Sequence, residues 1–231
     1  RYARNGVKIA ADKFEIVGRP QLGGMDVATG PVNPKEPTVL VAPTWGGSAL
    51  GEELSSLAVT PQLVQELIEA GASVVYRPHP FCARTAEGAH IIREVHELLE
   101  QHANSTGRNH VYGPAAETEI TVNQAANMSD MIVSDLSGIM SDWLFSLKPY
   151  LLVSMDQTAQ DFADRYPMGK AGLVVDGRAT GDFKAVIKQL IGTDTDTAYQ
   201  ARRKMREYYL AGADNEDRAA LFNEVVKRIC A

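Results

Sequence analysis

The sequence predicts a doubly wound α/β domain, a parallel sheet with helices on both faces. Two observations carry that expectation. Short runs rich in Val, Ile and Leu recur without the polar alternation of a half-exposed sheet. Between them lie stretches with apolar residues at helical spacing, and alternation at this interval implies right-handed βαβ crossovers. In sheets of this kind ligands bind beyond the carboxyl ends of the strands, so the residues just after each strand are the ones to inspect.

The elements follow in order. Residues 38–42 (TVLVA) read as a buried strand closed by Pro43. Residues 60–70 place Leu63, Leu67 and Ile68 at helical spacing, with Thr60 as the N-cap before Pro61 and Gly71 as the stop. Residues 73–76 form a strand, and 85–103 a long amphipathic helix carrying Ile91, Ile92, Val95, Leu98 and Leu99. A short strand at 110–112 and a short helix at 120–128 come next. Strand 131–134, helix 137–147, strand 150–154, helix 159–166 and strand 173–176 continue the alternation. Helices near 181–191, 196–211 and 216–229 finish it. Gly and Pro recur between residues 18 and 37, which read as a linker. Residues 1–37 are therefore a lead-in, and 38–231 the folded domain.

Composition narrows the function. There are 23 Lys and Arg against 29 Asp and Glu, a net charge of −6 that lacks the basic excess of a dedicated nucleic-acid binder. No run approaches the roughly 18 apolar residues of a membrane span. Cys82 and Cys230 stand far apart with no C-x-x-C, which argues against a disulfide framework or a cysteine zinc site and for a reducing compartment. The chain opens on Arg1-Tyr2-Ala3-Arg4, with neither a Met start nor a signal peptide, and reads as a piece of something longer.

Four strand-end junctions hold the candidate chemistry. At Ser134-Asp135-Leu136-Ser137-Gly138 an apolar strand runs into a helix. Ser137 suits the N-cap, and the amides of Gly138, Ile139 and Met140 with the helix dipole form a ready anion site. A capped helix without a ligand accounts for the same residues equally well. Arg77-Pro78-His79-Pro80 offers a guanidinium fork for phosphate and an imidazole donor, acid or base, stiffened by two prolines. A rigid turn with a structural His is the plainer account. Pro43-Thr44-Trp45-Gly46-Gly47-Ser48 exposes glycine amides but matches neither the dinucleotide fingerprint nor the P-loop. The fourth junction is Ser154-Met155-Asp156. Asp142, one and a half turns into its helix, reaches toward a ribose or acceptor hydroxyl, or is simply solvated.

Other signals fail. His96-Glu97-Leu98-Leu99-Glu100 departs from H-E-x-x-H at its last position, and His90, His96 and His102 point to different helix faces. Arg202, Arg203, Lys204 and Arg206 read as a solvated helix face. No metal site is expected, and no G-x-S-x-G is present.

In their order and spacing these junctions resemble the CDP-glycerol:poly(glycerophosphate) glycerophosphotransferases, the teichoic acid polymerase and primase family. Ala42-Pro43-Thr44-Trp45 matches the family's A-P-T-[WF], and Arg77-Pro78-His79-Pro80 its [KR]-x-H-P segment. Ser134–Gly138 with Asp142, Lys148-Pro149 and the following strand resemble its S/T-D-Y-S-S turn, helix Asp and K-P. Upstream, Phe14-Glu15-Ile16-Val17-Gly18-Arg19-Pro20-Gln21 is similar to a strand and G-x-P-R segment entering the domain. Leu136, Gly138 and Gly46 depart from the pattern, which bears on donor specificity more than on fold.

The resemblance implies the C-terminal, nucleotide-binding, Rossmann-like half of a GT-B architecture, with the N-terminal domain and its catalytic His outside this sequence, so that this chain alone would be inactive. It implies transfer of glycerol phosphate, or a related polyol phosphate, from CDP-glycerol to a teichoic-acid-type polymer or its primer, releasing CMP. His79 and Arg77 would be catalytic. Thr44, Trp45, Ser48, Pro78, Ser134, Asp135, Ser137, Gly138 and Asp142 would bind the donor. The implied partners are the nucleotide-diphosphate donor and an anionic or lipid-linked acceptor, with no tightly bound cofactor and no nucleic acid. The implied location is cytoplasmic, peripheral at the inner membrane face. A nucleotide-sugar glycosyltransferase or epimerase domain, and a degenerate non-catalytic module, remain alternatives.

Overall fold

The computed structural model describes residues 6, 8–10, 13–32, 34–46, 54–192, 196–210 and 217–230. Five parallel strands, β1 (Thr38–Ala42), β2 (Ser73–Tyr76), β3 (Met131–Ser134), β4 (Tyr150–Ser154) and β5 (Leu173–Asp176), form one sheet in the order β2-β1-β3-β4-β5. All five coincide with the strands expected from sequence. The order reverses between β1 and β3, and that point is where an open α/β sheet leaves a crevice.

Both faces are covered, which is why the strands lack polar alternation. Val39, Val41, Val74, Met131, Val133, Leu151 and Val153 pack with residues of three helices, α1 (Thr60–Glu69), α2 (Ala86–Thr106) and α7 (Phe183–Gly192). Leu40, Val75, Ile132 and Leu152 pack on the opposite face with Ala125 of α4 (Val122–Asn127), Trp143 of α5 (Gly138–Ser146), Phe162 of α6 (Ala159–Arg165) and Met205 of α8 (Tyr199–Tyr209). A short α3 (Pro114–Glu117) and a terminal α9 (Arg218–Cys230) complete the helices described here. Trp143, fully buried, donates its indole N–H to the carbonyls of Lys148 and Pro149 at 3.2 and 3.1 Å. The Lys148 ammonium in turn donates to Ala126 and Ser129 carbonyls at 2.9 and 2.7 Å, tying the end of α4 to the start of β4.

Several local expectations are corrected. Residues 110–112 form no strand but one bridge, Val75 to Val111, because Gly113 at φ +61° turns the chain and Pro114 starts α3. The His110 ring accepts from Val74 N–H at 3.0 Å where a ladder carbonyl would sit. Thr60 is the first helical residue of α1 rather than its cap, and its hydroxyl donates back to Ser56 O. Helix α2 runs on to Thr106 and stops at Gly107, φ +74°. Helix 120–128 shortens to α4, opened by a Thr121–Gln124 capping box. Residues 14–19 form no strand.

The basic cluster on α8 divides, Arg203 and Lys204 being exposed as expected and Arg202 and Arg206 buried. Arg202 is 1% exposed, pairs with Asp196 and donates Nε–H to Leu147 O at 2.8 Å. Arg206 stacks over the Phe145 ring, 4.8 Å from its centroid. Residues 19–28 lie against the α4–α5 side, with Leu22 and Met25 in the core. Asn123 on α4 donates to Gln21 and Gly23 carbonyls, and Ala28 N–H to Ser146 O.

Candidate functional site

A cleft of about 430 Å³ opens at the sheet's switch point. Pro43, Thr44 and Trp45 after β1, Arg77, Pro78 and His79 after β2, and Ser137, Gly138 and Asp142 at the head of α5 line it, with Val122 of α4 opposite. The structure thus brings three of the four junctions into one cavity. The fourth, at Ser154 and Asp156, does not line it. Ser48 lies outside the described residues.

Each lining group reaches the cleft for a local reason. Ser137 takes the N-cap position of α5 in extended backbone, but its hydroxyl does not cap an amide and lies 3.4 Å from Ser134 Oγ. The expected side-chain cap is therefore absent. The first amides of a helix have no intrahelical partner, so those of Gly138 and Ile139 stay available to a ligand. No atom lies within 4 Å of where a Gly138 Cβ would be, so a phosphate can approach the backbone there.

His79 accepts from Phe81 N–H through Nδ1 at 3.2 Å. A neutral ring so bonded carries its proton on Nε2. Burial, helped by the nearby Arg84 charge, pulls its pKa below the ordinary histidine value, so at neutral pH it is a hydrogen-bond donor rather than a cation. Trp45 (42% exposed) and Phe81 (36% exposed) form an aromatic rim beside it, their ring centroids 5.3 Å apart.

Arg77 is more occupied than the sequence suggests. Its Nη1 donates to the carbonyls of Ala116 and Ile120, fastening the chain around α3 to the end of β2. Burial lowers its pKa while Glu117 opposes that, and the group stays charged. Three of its five N–H groups, one on Nε and two on Nη2, lie off Nη1, so it can hold its loop and still face an anion.

Ser134 and Asp135 sit behind the cleft rather than in it. Ser134 donates to Ala42 O at 2.6 Å. Asp135, fully buried, accepts from Thr44 N–H at 2.9 Å and from the Ser56 N–H and hydroxyl at 2.8 Å each. It fixes the Thr44 turn against the stretch before α1, and burial pushes its carboxyl up to about 6 in spite of those bonds. Asp142 faces an ion pair that the sequence reading missed. Arg19 Nη2 lies 2.6 Å from its Oδ1. Among the described residues no three His, Cys, Asp or Glu side chains gather as a metal site, and no helix is long and apolar enough to cross a membrane.

The family pattern of CDP-glycerol:poly(glycerophosphate) glycerophosphotransferase matches residues 27–227. The chain belongs to this family. No curated protein matches it in sequence. Among solved structures it is similar to a putative UDP-N-acetylglucosamine 2-epimerase from Listeria monocytogenes (15% identity, TM-score 0.50, covering 91% of this chain and 53% of that one). It is also similar to a UDP-forming α,α-trehalose-phosphate synthase from Burkholderia xenovorans in complex with glucose-6-phosphate (10%, 0.50, 83% and 44%). The wall teichoic acid polymerase TagF is a further match (15%, 0.46, 85% and 43%). The chain spans about half the length of these structures. Identities this low speak to the fold, the Rossmann-like α/β half of a GT-B type. In this glycerophosphotransferase-family chain, Pro43 to Trp45, Arg77 to His79 and Ser137 to Asp142, three of the segments that carry the family resemblance, converge on one cleft.

Proposed function

We propose that this chain is the donor-binding domain of a glycerophosphotransferase, and that the whole protein moves glycerol phosphate, or a related polyol phosphate, from CDP-glycerol to a teichoic-acid-type polymer or its primer. Residues 38–231 would form that domain and 1–37 the lead-in from an N-terminal domain. The observation that carries this reading is the convergence of Arg77, His79 and the open amides of α5 on the switch-point cleft.

An acceptor hydroxyl attacks the β-phosphorus of CDP-glycerol. A new P–O bond forms to the acceptor, the bond to the bridging oxygen breaks, and CMP leaves with that electron pair. The hydroxyl proton passes to a base contributed by the other domain. Little covalent work falls to this chain, whose part is to position the diphosphate and stabilise its charge. The Gly138 and Ile139 amides hold phosphate oxygens at the helix start. Arg77 adds a fixed positive charge, and His79, neutral with its proton on Nε2, donates to the leaving phosphate. No cofactor is needed for these steps beyond the donor itself. The protein would work in the cytoplasm, at the inner face of the membrane, where a lipid-linked acceptor is reached.

Calorimetric titration of the chain with CDP-glycerol, CDP-ribitol, CMP and UDP-sugars tests the reading. Cytidine-selective binding that is weakened by His79→Ala supports it. Preference for a UDP-sugar would move the protein to the nucleotide-sugar enzymes, and silence from every ligand would count against a donor site on this chain.

A further inference from the structure

The charges facing the cleft do not favour a diphosphate as they stand. Arg77 contributes one positive charge, part of which is spent on the Ala116 and Ile120 carbonyls. His79 is held neutral by its surroundings. Asp142 lines the same cavity, one turn into α5, and its carboxylate opposes any anion that approaches the helix start. Asp135 is buried behind the wall, and Glu117, which acts on Arg77, does not line the cavity.

Arg84 stands by the rim, its guanidinium over the Phe81 ring and its charge acting on His79, while the cation that meets Asp142 is Arg19. It comes from the segment before β1, outside the strand-end junctions that line the cleft. Its Nη2 is 2.6 Å from Asp142 Oδ1, with the two side chains 33% and 19% exposed. With the Gln21 amide turned so that its oxygen faces the guanidinium, Gln21 accepts from Nη2 and Nε at 2.9 and 3.0 Å. The backbone that carries Arg19 is itself anchored. Leu22 sits in the core, Asn123 holds the carbonyls of Gln21 and Gly23, and Asn127 holds that of Gly24. A long, flexible cation is thus delivered to one carboxylate by a strap whose own packing fixes where it ends.

We infer that Arg19 is a positioning residue of the anion site, which neutralises Asp142 and so lets the cleft accept a diphosphate. The inference rests on the reading of the cleft as a diphosphate site. It ties donor affinity to the seating of the lead-in segment, because lifting residues 19–25 off α4 would expose the Asp142 charge to the incoming phosphates.

The test is a double-mutant cycle read by calorimetry on the whole chain, with CDP-glycerol and with inorganic pyrophosphate as probes. Arg19→Ala should weaken both by about tenfold or more, the effect of one uncompensated charge near a diphosphate. Arg19→Ala combined with Asp142→Asn should bind within about twofold of Asp142→Asn alone. Arg19→Lys, which keeps the charge, should stay near wild type. Unchanged affinity in Arg19→Ala overturns the inference, as does a double variant as weak as the single one. Thermal melts of the same variants separate electrostatics from unfolding: affinity lost in Arg19→Ala with an unchanged melt supports the inference, and affinity lost only in step with the melt overturns it. If pyrophosphate follows the cycle and CDP-glycerol binds no better than pyrophosphate, the inference stands and the donor reading falls. If the wild type binds neither probe, both fall.

Discussion

Asp135→Asn changes one oxygen to an amide nitrogen in a side chain that is fully buried and accepts three hydrogen bonds at Oδ2, from Thr44 N–H, Ser56 N–H and the Ser56 hydroxyl. Burial outweighs those bonds and raises the carboxyl from 3.8 to about 6. The folded pKa therefore lies above the unfolded one. Between the two the folded state binds more protons, so the contribution of this group favours the fold below pH 3.8 and is lost as pH rises through 6. A shift of about two units, fully expressed by pH 7.5, is worth roughly 3 kcal/mol. Asn keeps an oxygen for all three donors and carries no charge. The variant should be more stable than wild type by about 1–3 kcal/mol at pH 7.5, the lower figure allowing for the amide nitrogen that replaces Oδ1 near Thr44 N–H. The gain should shrink to within about 0.5 kcal/mol near pH 4. Urea denaturation of both proteins at pH 4, 5, 6 and 7.5 reads this directly, since the difference at each pH cancels every other titrating group. A difference that stays flat with pH, or Asn destabilising at pH 7.5, would refute the reasoning, because the hydrogen bonds would then match or outweigh burial and the carboxyl would ionise at or below its ordinary pH. Asp135→Ala is the control. It strands two backbone amides and a hydroxyl and should be less stable than Asn at every pH, by roughly 2–5 kcal/mol.

His110 titrates in the opposite sense. Burial, with His102 and Arg108 adding to it, lowers its pKa from 6.5 to about 4, so stability present above 6.5 is lost as pH falls toward 4. His110→Asn, whose oxygen can still accept from Val74 N–H, should flatten the acid limb of a melting-temperature profile between pH 6.5 and 4. Gly172→Ala would set a Cβ 2.1 Å from the buried Tyr150 ring, and should cost about 1–3 kcal/mol and lower Tm by several degrees in a thermal melt. Arg202→Ala leaves Asp196 buried without its partner and should cost about 3–5 kcal/mol in urea denaturation, whereas Arg203→Ala on the exposed face of the same helix should cost under about 0.5 kcal/mol. On the proposed reading, His79→Ala in the full-length protein should lower turnover by roughly 10²-fold or more, and near-normal turnover would remove His79 from the proposed chemistry.

The sheet was readable because its strands are short apolar runs bounded by Pro, Gly or a polar turn, and burial on both faces removes any ambiguity of register face. The cleft was readable for a related reason. Once β1, β2 and β3 are parallel neighbours, the residues after each must meet at one edge, and Thr44, Arg77, His79 and Ser137 do. What the local pattern could not reveal is which of those residues face in. Asp135 stands between two lining segments, yet it is turned away by Thr44 and Ser56, 91 and 79 positions distant. Residues 110–112 have strand-like composition, but only the fold shows that a glycine turn ends them after one bridge. Arg202 reads as solvated from its charged neighbours and is buried because Asp196 and the Leu147 carbonyl meet it.

Arg19 and Asp142 make the same point with a functional consequence. Asp142 is a candidate on its own and Arg19 lies in a Gly- and Pro-rich stretch, but nothing in either segment joins the two. Their pairing depends on Leu22 and Met25 entering the core, which sequence composition alone presents as incidental apolar residues of a connector. The packing of that segment therefore sets a charge at the edge of the cleft. If the lead-in is the route by which another domain joins this one, then tension on it acts first on Arg19. A hinge that withdraws Arg19 uncovers the Asp142 carboxylate and weakens the hold on any bound diphosphate. Release of CMP after transfer and domain opening would then be one event, because the residue that neutralises the site belongs to the segment through which the domains would be joined.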